Sequence, residues 1–300
     1  MILILLLVVV QGCQDYRKSE LTVTCIDVGQ GDAVLLSFPN GKDWLVDAGG
    51  TPAGDTDAGI DPGHRNVLPV LRAKAIQSLD VVVMTHPDED HTQGMLAVAR
   101  HVPVGCVYWN GFQGSLTEQR VRKQFQKLGT RVELLTAGNM THVGGVDVHV
   151  LSPPLKPILG TRSPENENSI VLLLTYLTKS ILLTGDVEAV GEQRLLSTSR
   201  HELRNLSLLK VAHHGSDSSS TNEFVQWTHP QTALISCGKR NRYGHPSSEV
   251  LKRFERIGTK VFRTDDCGMI EWTTDGTSET VSTMLPCNEN APRNAQGGLH

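Results

Sequence analysis

Seven residues, Thr85-His86-Pro87-Asp88-Glu89-Asp90-His91, decide how this chain is organised. They follow the apolar run Leu79-Asp80-Val81-Val82-Val83-Met84, which predicts a β-strand, and they precede a segment expected to be helical. Residues two apart in an extended segment point to the same side, so His86 and Asp88 can approach one metal ion. Asp90 and His91, past a turn, then face a second ion. The spacing predicts half of a two-metal centre, and other segments have to supply the rest.

The composition is that of a soluble globular domain, with 39% hydrophobic and 20% charged residues in a chain of 300. A formal net charge of -4 argues against binding nucleic acid through the overall field, so any contact with a polyanion has to be local. Aromatic residues make up only 5% of the chain, which disfavours a broad surface for stacking nucleobases.

Residues 1–19 form an apolar leader that is expected to lie outside the folded domain. Met1–Val10 is almost purely apolar but too short to span a bilayer. Three interpretations stay open: a signal-peptide core, a lipoprotein signal lipidated at Cys13, or the remnant of a membrane helix. We therefore expect an extracytoplasmic location, secreted or attached to a membrane through the N-terminus. The polar residues 284–300 are expected to form a disordered tail, which leaves residues 20–283 as one domain.

Six cysteines occur without a Cys-x-x-Cys pair, so a zinc site made of thiolates is not expected. Cys25 and Cys237 lie inside apolar strand patterns and are predicted to be core residues. Cys267 and Cys287 can form a disulfide if the domain lies outside the cell.

Further potential metal ligands occur where other apolar segments end. The predicted strands and the polar residues after them are Leu21–Ile26 with Asp27 and Asp32, Trp44–Val46 with Asp47, Ile181–Leu183 with Asp186, and Leu206–Val211 with His213 and His214. Because they all follow strand ends, we expect these side chains to converge on one rim.

The order of strands and helices predicts two packed sheets with helices outside. Arg131–Leu135 and Val146–Leu151 are expected to join the second group of strands. Asn40-Gly41 predicts a hairpin turn between two strands. Ser220-Thr221-Asn222-Glu223 matches a capping box, with Ser220 at the cap of a helix.

These motifs together resemble the metallo-β-lactamase superfamily, and specifically the hydrolase domain of ComEC-type competence proteins. The resemblance extends from about Leu21 to Thr273. It rests on Asp27-Val28-Gly29-Gln30-Gly31-Asp32, Asp47-Ala48-Gly49, Thr85 to His91, Asn168-Ser169-Ile170-Val171, Leu183-Thr184-Gly185-Asp186, Val211-Ala212-His213-His214-Gly215-Ser216 and Asn241-Arg242-Tyr243-Gly244-His245-Pro246-Ser247. It implies an α+β fold, an αββα four-layer sandwich with a metal site at one edge of the two sheets.

The resemblance also implies two divalent metal ions. The expected ligands are His86 and Asp88 for the first ion, Asp90 and His91 for the second, and Asp186 as the bridge between them. His214, or alternatively His213, completes the second site. Residues expected to orient the ligands or support the site are Asp27, Asp32, Asp47, Asn168 and His213.

Two positions depart from the broader superfamily. Asp88 occupies the position of the superfamily's second histidine in the first metal motif. Asn168 or Asn166 occupies the position of its next histidine. Both changes replace nitrogen with oxygen, which shifts the metal preference from zinc toward manganese or magnesium. We expect manganese or zinc, with magnesium as a third option.

A basic loop ending in His245 is the expected phosphate-binding segment. It carries Lys239, Arg240 and Arg242, although a solvated charged loop is the alternative interpretation. His245 is expected to bind the scissile phosphate, to donate a proton to the leaving oxygen or to ligate a metal. Ser216 can donate a hydrogen bond to phosphate, but a serine-rich loop before a helix is equally explained by capping.

The expected function is that of a metal-dependent nuclease or phosphodiesterase, with Asp90, Asp186 and His245 as catalytic residues. In the family that the chain resembles, this domain accompanies a membrane DNA-uptake channel and degrades the non-transported strand during competence. Single-stranded DNA is therefore the expected partner of a monomeric protein. The alternatives are a metallo-hydrolase of β-lactams, thioesters or small phosphodiesters, and a non-catalytic nucleic-acid-binding module.

Overall fold

The computed structural model describes residues 19–51, 61–239 and 241–287. The predicted leader up to residue 18, Arg240 and residues 288–300 of the predicted tail lie outside the described residues. Within the described ranges, no helix combines the length and the apolar character needed to cross a membrane.

The described residues form fifteen strands. In chain order they are β1 (Leu21–Cys25), β2 (Val34–Ser37), β3 (Asp43–Val46), β4 (Leu79–Met84), β5 (Val104–Trp109), β6 (Arg131–Leu134), β7 (Met140–Val143), β8 (Val146–Ser152), β9 (Val171–Tyr176), β10 (Lys179–Leu183), β11 (Leu208–Lys210), β12 (Thr232–Ile235), β13 (Lys260–Arg263), β14 (Ile270–Thr274) and β15 (Glu279–Thr283).

Short helices connect and cover the strands. They are α1 (Leu68–Ala73), α2 (Glu89–Thr92), α3 (Met95–His101), α4 (Leu116–Lys127), α5 (Pro164–Glu167), α6 (Ala189–Thr198), α7 (Asn222–Thr228), α8 (Ser248–Arg256) and α9 (Thr264–Cys267). A wide helical turn, Gly63–Val67, leads into α1, and a 3₁₀ turn covers Ala212–Gly215.

The strands form two mixed sheets. The first has the order β15-β14-β1-β2-β3-β4-β5-β6, and the second has the order β13-β12-β11-β10-β9-β8-β7. In each sheet one half is antiparallel and the other half, β3 to β6 or β10 to β13, is parallel. Parallel neighbours need a crossover, which is why helices lie outside each sheet.

Side chains alternate along the strands and fill three apolar layers. Val23 of β1, Trp272 of β14 and Leu183 of β10 belong to the layer between the sheets. Phe125 of α4 belongs to the layer outside the first sheet, and Phe254 of α8 to the layer outside the second. Each such buried side chain contributes about 1.5–3 kcal/mol. The result is the expected αββα sandwich.

Several local predictions are confirmed. Strand β4 covers the predicted Leu79–Met84. The Asn40-Gly41 turn joins the antiparallel strands β2 and β3, and the Gly41 N–H donates to the Phe38 carbonyl at 2.9 Å. Cys25 and Cys237 are fully buried, as expected for core residues.

Two local predictions are wrong. The segment expected at Arg131–Leu135 joins the first sheet, because α4 returns the chain so that β6 pairs in parallel with β5. Helix α7 is capped by Thr221, whose hydroxyl accepts from the Phe224 N–H at 3.3 Å. Ser220 cannot serve as the cap because its backbone has a φ of 50° and its N–H donates to Glu192.

The last described residues are attached to the sandwich. Cys267 and Cys287 form a disulfide, with Cα atoms 5.0 Å apart. The Leu285 N–H donates to the Cys267 carbonyl at 2.9 Å. Residues 284–287 therefore belong to the folded unit, beyond the boundary at 283 expected from the sequence.

Candidate metal centre

The carboxyl ends of strands from both sheets open on one rim of the sandwich. In the first sheet, β3 leads to Asp47 and β4 leads to His86. In the second, β10 leads to Asp186 and β11 leads to His214. This arrangement brings together side chains that are far apart in the sequence, as in other sheets whose ligands lie beyond the strand ends.

The carboxylate of Asp186 is the centre of this cluster. Its Oδ2 lies 3.3 Å from His91 Nε2 and 3.5 Å from His214 Nε2. The same oxygen lies 3.9 Å from the Nε2 atoms of both His86 and His213. Asp186 is buried, and it is the one carboxylate that all four imidazoles approach in the described part of the chain.

Two more carboxylates flank the imidazoles on opposite sides. Asp88 Oδ2 lies 3.7 Å from His86 Nε2, and Asp90 Oδ2 lies 3.4 Å from His214 Nε2. Helix α2 begins at Glu89, so Asp88 is extended while Asp90 lies in the first helical turn. The turn separates the two carboxylates and gives the cluster two sides that share Asp186.

Asp47 fixes the position of His91. It is buried, with a φ of 58°, at the end of β3. Its Oδ2 accepts from His91 Nδ1 at 2.8 Å and from the Thr85 hydroxyl at 2.6 Å, and its Oδ1 accepts from the Thr85 N–H at 2.9 Å. With Nδ1 engaged in this way, His91 presents Nε2 to Asp186. Asp47 therefore orients a candidate ligand.

His214 is oriented by the backbone of the second sheet. Its Nδ1 donates to the Ser236 carbonyl at 3.0 Å, which leaves Nε2 facing Asp186 and Asp90. His213 and His214 both have left-handed backbones, with φ of 49° and 54°. Such residues cost about 1–3 kcal/mol each. This strained turn directs the two imidazoles toward Asp186.

A buried ion pair between Lys210 and Asp32 lies next to His214. Lys210, at the end of β11, is 2% exposed, and its Nζ donates to Asp32 Oδ2 at 2.6 Å and to the Val211 carbonyl at 2.9 Å. The other oxygen of Asp32 lies 3.4 Å from His214 Nδ1. Burial of two charges is tolerated because they pair closely. Asp32 thus lies against a candidate ligand while Lys210 compensates its charge.

The charges of the cluster shift the proton affinities of its members. Although burial favours the neutral imidazole, Asp186 and Asp32 raise the pKa of His214 to about 10. Burial likewise opposes the charge on Asp186, but His91 and His214 hold the pKa of this carboxyl well below its usual range. A cation at the cluster would replace protons on the imidazoles.

The donor set fits divalent metal ions. Within the described chain, the Nε2 atoms of His86, His91 and His214 and the Oδ1 of Asp186 are buried and have no hydrogen-bond partner. Buried polar atoms nearly always have one, so a cluster of such atoms needs an explanation. Asp32, His91, Asp186 and His214 each place a donor atom within 4.8 Å of the others. Imidazole and carboxylate donors in this proportion suit zinc or manganese.

Two glycines let the neighbouring loops approach the metal motif. A Cβ on Gly31, where φ is +136°, would lie 2.2 Å from the Asp90 carbonyl oxygen. A Cβ on Gly50 would lie 1.6 Å from the Glu89 carbonyl oxygen. Both contacts involve backbone atoms, so any larger residue would displace α2 and the carboxylate of Asp90.

A cavity of about 410 Å³ opens beside the cluster and is lined in part by Asp88, Asp90, His213 and His214. Its lining residues are Gln30, Pro87, Asp88, Glu89, Asp90, Ser115, His213, His214, Tyr243 and His245. His245 lies beside two imidazoles of the cluster: its ring centroid is 5.6 Å from that of His213 and 6.4 Å from that of His214. The Asn241 side chain holds it through hydrogen bonds to the His245 N–H at 2.9 Å and carbonyl at 2.6 Å.

His213 faces both the cluster and the neighbouring loop. Its Nδ1 lies 3.2 Å from Glu188 Oε1 and 3.2 Å from the Ser218 hydroxyl, while its Nε2 faces Asp186. Burial opposes its charge, but Asp186 and Glu188 raise its pKa. His214 lies closer to Asp186 and is more deeply buried, so His214 is the better placed of the two as a ligand.

Two residues expected near the ligands support loops instead. The Asn168 amide donates to the carbonyls of Ile158 and Pro164 at 2.7 Å, and its Oδ1 accepts from the Ile158 N–H at 2.9 Å. Asp27 Oδ1 accepts from the Gly29 N–H at 3.2 Å, and burial raises its pKa. These contacts shape the loops around the site because they use the polar atoms of both side chains within those loops.

The expected substrate-binding residues differ in position. The Ser216 hydroxyl lies 3.0 Å from that of Ser218 and is used within its own loop. Lys239 is exposed and close enough to Asp27 to lower its pKa against the effect of burial. Arg242 donates to the Tyr243 hydroxyl at 2.9 Å at the cavity mouth. The structure thus places His245 in the cavity lining and Arg242 against the lining residue Tyr243, and it leaves Ser216 outside the lining.

The sequence matches the family model described as the metallo-β-lactamase superfamily over residues 26–239. This chain belongs to the metallo-β-lactamase superfamily. The match includes Asp186 and every imidazole within 3.9 Å of it. The family is dinuclear and metal-dependent, in agreement with the two-sided cluster.

Curated relatives of this metallo-β-lactamase superfamily member include competence proteins. The chain is 32% identical over 277 residues to ComE operon protein 3 of Bacillus subtilis, covering 90% of this chain and 35% of that protein. It is 29% identical over 258 residues to competence protein ComA of Neisseria gonorrhoeae, covering 85% and 32%. The chain thus spans about a third of the length of these relatives.

Solved structures show the shared fold. The metallo-β-lactamase fold protein YhfI of Bacillus subtilis superposes with a TM-score of 0.53 at 15% sequence identity. The superposition covers 85% of this chain and 99% of that chain.

Sequence reasoning missed four residues that shape the site. Thr85 begins the metal motif but had no role assigned, and Glu188 looks like an ordinary loop residue; the structure shows that they contact Asp47 and His213. Lys210 gave a usable signal, since a lysine inside an otherwise apolar strand needs a buried partner. Tyr243 lies within a recognised motif, but only the structure shows that it lines the cavity.

Proposed function

We propose that this chain is a metal-dependent phosphodiesterase that cleaves DNA. One observation carries the proposal: partnerless imidazole nitrogens gather around Asp186, and His214 of this cluster lines a cavity together with His245 and Tyr243. The membership of the metallo-β-lactamase superfamily supports metal-dependent hydrolysis. The names of the competence relatives support DNA as the substrate.

The two sides of the cluster would hold two ions. The residues are His86 and Asp88 on one side, Asp90, His91 and His214 on the other, and Asp186 between them. Bound ions supply a water of lowered pKa and neutralise charge on the phosphate. Asp90, which lines the cavity, would also accept a hydrogen bond from the attacking water and orient it. Asp47 keeps His91 in position throughout the reaction.

His245 is the candidate for protonating the leaving oxygen. It lines the cavity beside His213, and Asn241 fixes its backbone at both the N–H and the carbonyl. A general acid has to reach the leaving group from the side opposite the nucleophile. His245 and Asp90 both line the cavity and come from different segments, so the two residues could act on opposite ends of the scissile bond.

The phosphate substrate is favoured by local charge. The chain has a formal net charge of -4, yet Arg242 is hydrogen-bonded to Tyr243 in the cavity lining, and the exposed Lys239 belongs to the same loop. This local concentration of positive charge fits contacts to a phosphate backbone better than a β-lactam or thioester. We place the reaction outside the cytoplasm, beside a membrane DNA-uptake channel, because the relatives are named for competence.

Cleavage of labelled DNA tests the proposal. Purified protein is incubated with 5′-labelled linear single-stranded DNA and Mn²⁺, Mg²⁺ or Zn²⁺, and products are resolved on a denaturing gel. We expect metal-dependent cleavage that Asp90→Ala/His91→Ala abolishes. The matched control is Asp147→Ala/His142→Ala, which removes an exposed pair with the same 2.8 Å contact that Asp47 makes with His91.

Other outcomes would identify the competing functions. Turnover of nitrocefin or a thioester without DNA cleavage would indicate a hydrolase of another substrate class. DNA binding that needs the basic loop, without cleavage under any metal, would indicate a binding module. Either result contradicts the proposed activity.

A further inference from the structure

Tyr243 is an exposed aromatic residue at the mouth of the metal cavity. Among the large apolar side chains that are exposed in the described residues, it is the one aromatic, and 43% of it is accessible. Aromatic residues usually bury most of their ring, so an exposed ring beside a catalytic cavity suggests a ligand. The chain contains few aromatic residues, and this one lies where a substrate has to enter.

The Tyr243 ring continues a series of nearly parallel rings that leads to the metal cluster. Its centroid is 5.8 Å from that of His245, with 27° between the ring planes. The His245 centroid is in turn 6.4 Å from that of His214, with 28° between the planes. The His245 ring thus lies between the Tyr243 ring and the metal cluster. A base that flanks a phosphate bound at the cluster would be within reach of Tyr243.

The ring is held in place before any ligand arrives. Arg242 Nη2 donates to the Tyr243 hydroxyl at 2.9 Å, and the guanidinium carbon lies 5.1 Å from the ring centroid. Asn241 fixes the loop from the other end through the backbone of His245. A ring that is already oriented loses little conformational entropy when a base stacks on it. Arg242 adds positive charge for the phosphate next to that base.

We propose that Tyr243 is a stacking platform for the nucleobase that flanks the scissile phosphate, and that it makes the enzyme select single-stranded DNA. The inference rests on the proposed phosphodiesterase function and deepens it. In a duplex both faces of each base are covered by its neighbours, so stacking on Tyr243 requires the base to leave the stack. In a single strand the base is already accessible. Stacking is tolerant of sequence because every base has an aromatic face.

The test compares two oligomers that differ only in their bases. One is a single-stranded DNA oligomer, and the other is a chain of abasic deoxyribose phosphates of the same length. We expect the wild-type kcat/KM to be about tenfold higher for the oligomer with bases, a typical effect of one stacked base. Tyr243→Ala should abolish this difference, and Tyr243→Phe should restore it because the ring is retained.

The control substitution is Tyr176→Ala. Tyr176 ends β9 at the rim away from the metal cluster, where its hydroxyl donates to the Ser19 carbonyl at 2.9 Å. This variant should keep the wild-type preference for bases. The preference for single-stranded over blunt duplex DNA should fall in Tyr243→Ala and stay unchanged in Tyr176→Ala.

Two results would contradict the proposal that a nucleobase stacks on Tyr243. A Tyr243→Ala variant that loses activity equally on both oligomers would show that Tyr243 only supports His245. A variant that keeps the full preference for bases would show that no base stacks there. If the wild type cleaves neither oligomer, the proposed activity is contradicted. The binding affinities for both oligomers, measured by fluorescence anisotropy, then test the role of Tyr243 separately. Equal affinities of wild type and Tyr243→Ala for the base-bearing oligomer would then reject the platform.

Discussion

The metal cluster and the loop from residue 239 to 245 border the same cavity, but they are built in opposite ways. At the centre of the cluster His86, His91, Asp186 and His214 are buried, and carboxylates, a carbonyl and an adjacent ion pair hold the imidazoles. The described residues of the loop are exposed or half-buried, and their contacts include the hydrogen bonds of the Asn241 and Arg242 side chains. Buried polar networks are rigid, whereas exposed charges contribute little to stability.

This contrast suggests that the cluster determines metal binding and catalysis, and that the loop determines which substrate binds. Substitutions in the support of the cluster should change metal affinity and stability. Substitutions in the loop should change the affinity for DNA while metal binding and folding are preserved. Substitutions in the two regions test whether these effects are distinct, beginning with the largest expected effect.

Replacing Lys210 should have the largest effect on stability. Lys210→Met leaves the buried carboxylate of Asp32 without its partner, and such a change typically costs about 3–5 kcal/mol. The double variant Lys210→Met/Asp32→Leu replaces both charges by apolar groups and should regain most of this loss. Urea denaturation of the metal-free proteins measures both effects. A double variant less stable than Lys210→Met would show that the pair does not behave as a coupled unit.

Metal affinity should rise with pH. In the metal-free protein, Asp186 and Asp32 raise the pKa of His214 from 6.5 to about 10 despite its burial. This ion pairing stabilises the fold fully below pH 6.5 and is lost as the pH rises through about 10. A bound ion has to displace this proton and also the proton of His91, whose pKa Asp186 and Asp47 raise well above its usual value despite burial. Affinity should therefore increase at least tenfold per pH unit between pH 6 and 8.

Competition with a chromophoric chelator at pH 6, 7 and 8 measures this dependence. The loop carries no ligand in this account, so Arg242→Ala should show the same slope as wild type. An affinity that does not change with pH would mean that the imidazoles are already neutral without metal.

Removing the support of His91 should weaken metal binding without unfolding the protein. Asp47→Asn loses the carboxylate that accepts from His91 Nδ1, and outer partners of this kind contribute about 10–100-fold in metal affinity. Asp147→Asn is the matched control, because Asp147 contacts His142 at the same 2.8 Å on the exposed surface. Isothermal titration with Mn²⁺ and Zn²⁺ should reveal the loss in the first variant only.

Changing the loop should have the smallest effect, and only on DNA. Arg242→Ala should raise KM for single-stranded DNA several-fold and lower the slope of log affinity against log salt by about one, with two ions still bound. Arg131→Ala removes an exposed arginine from β6 and serves as the control. A large fall in kcat with unchanged KM would place Arg242 in the chemical step and show that the two effects are not distinct.

The part of the site that sequence could predict is the part set by short-range spacing. His86, Asp88, Asp90 and His91 lie within six residues, and the strand before them fixes their direction. Asp186 could also be proposed, because it follows a strand end. The αββα sandwich was recognisable from the order of elements and from the family motifs.

Other features depend on contacts between distant segments. The pairing of Lys210 with Asp32 joins residues from two sheets, and nothing near Lys210 in the sequence identifies its partner. Asn168 resembles a ligand by its motif, yet the loop around Ile158 engages its amide. The sheet that β6 joins is decided by how α4 crosses, which the apolar pattern of β6 alone does not encode.

The central claim is that Asp186 is shared by two metal ions, and the number of ions bound per chain tests it most directly. The full chain is equilibrated with excess Mn²⁺ or Zn²⁺, freed of loose metal on a desalting column and analysed by inductively coupled plasma mass spectrometry. We expect two ions per wild-type chain and at most one in Asp186→Ala, with DNA cleavage lost in parallel. A wild-type chain that binds one ion or none, or an Asp186→Ala chain that keeps two, would contradict the account.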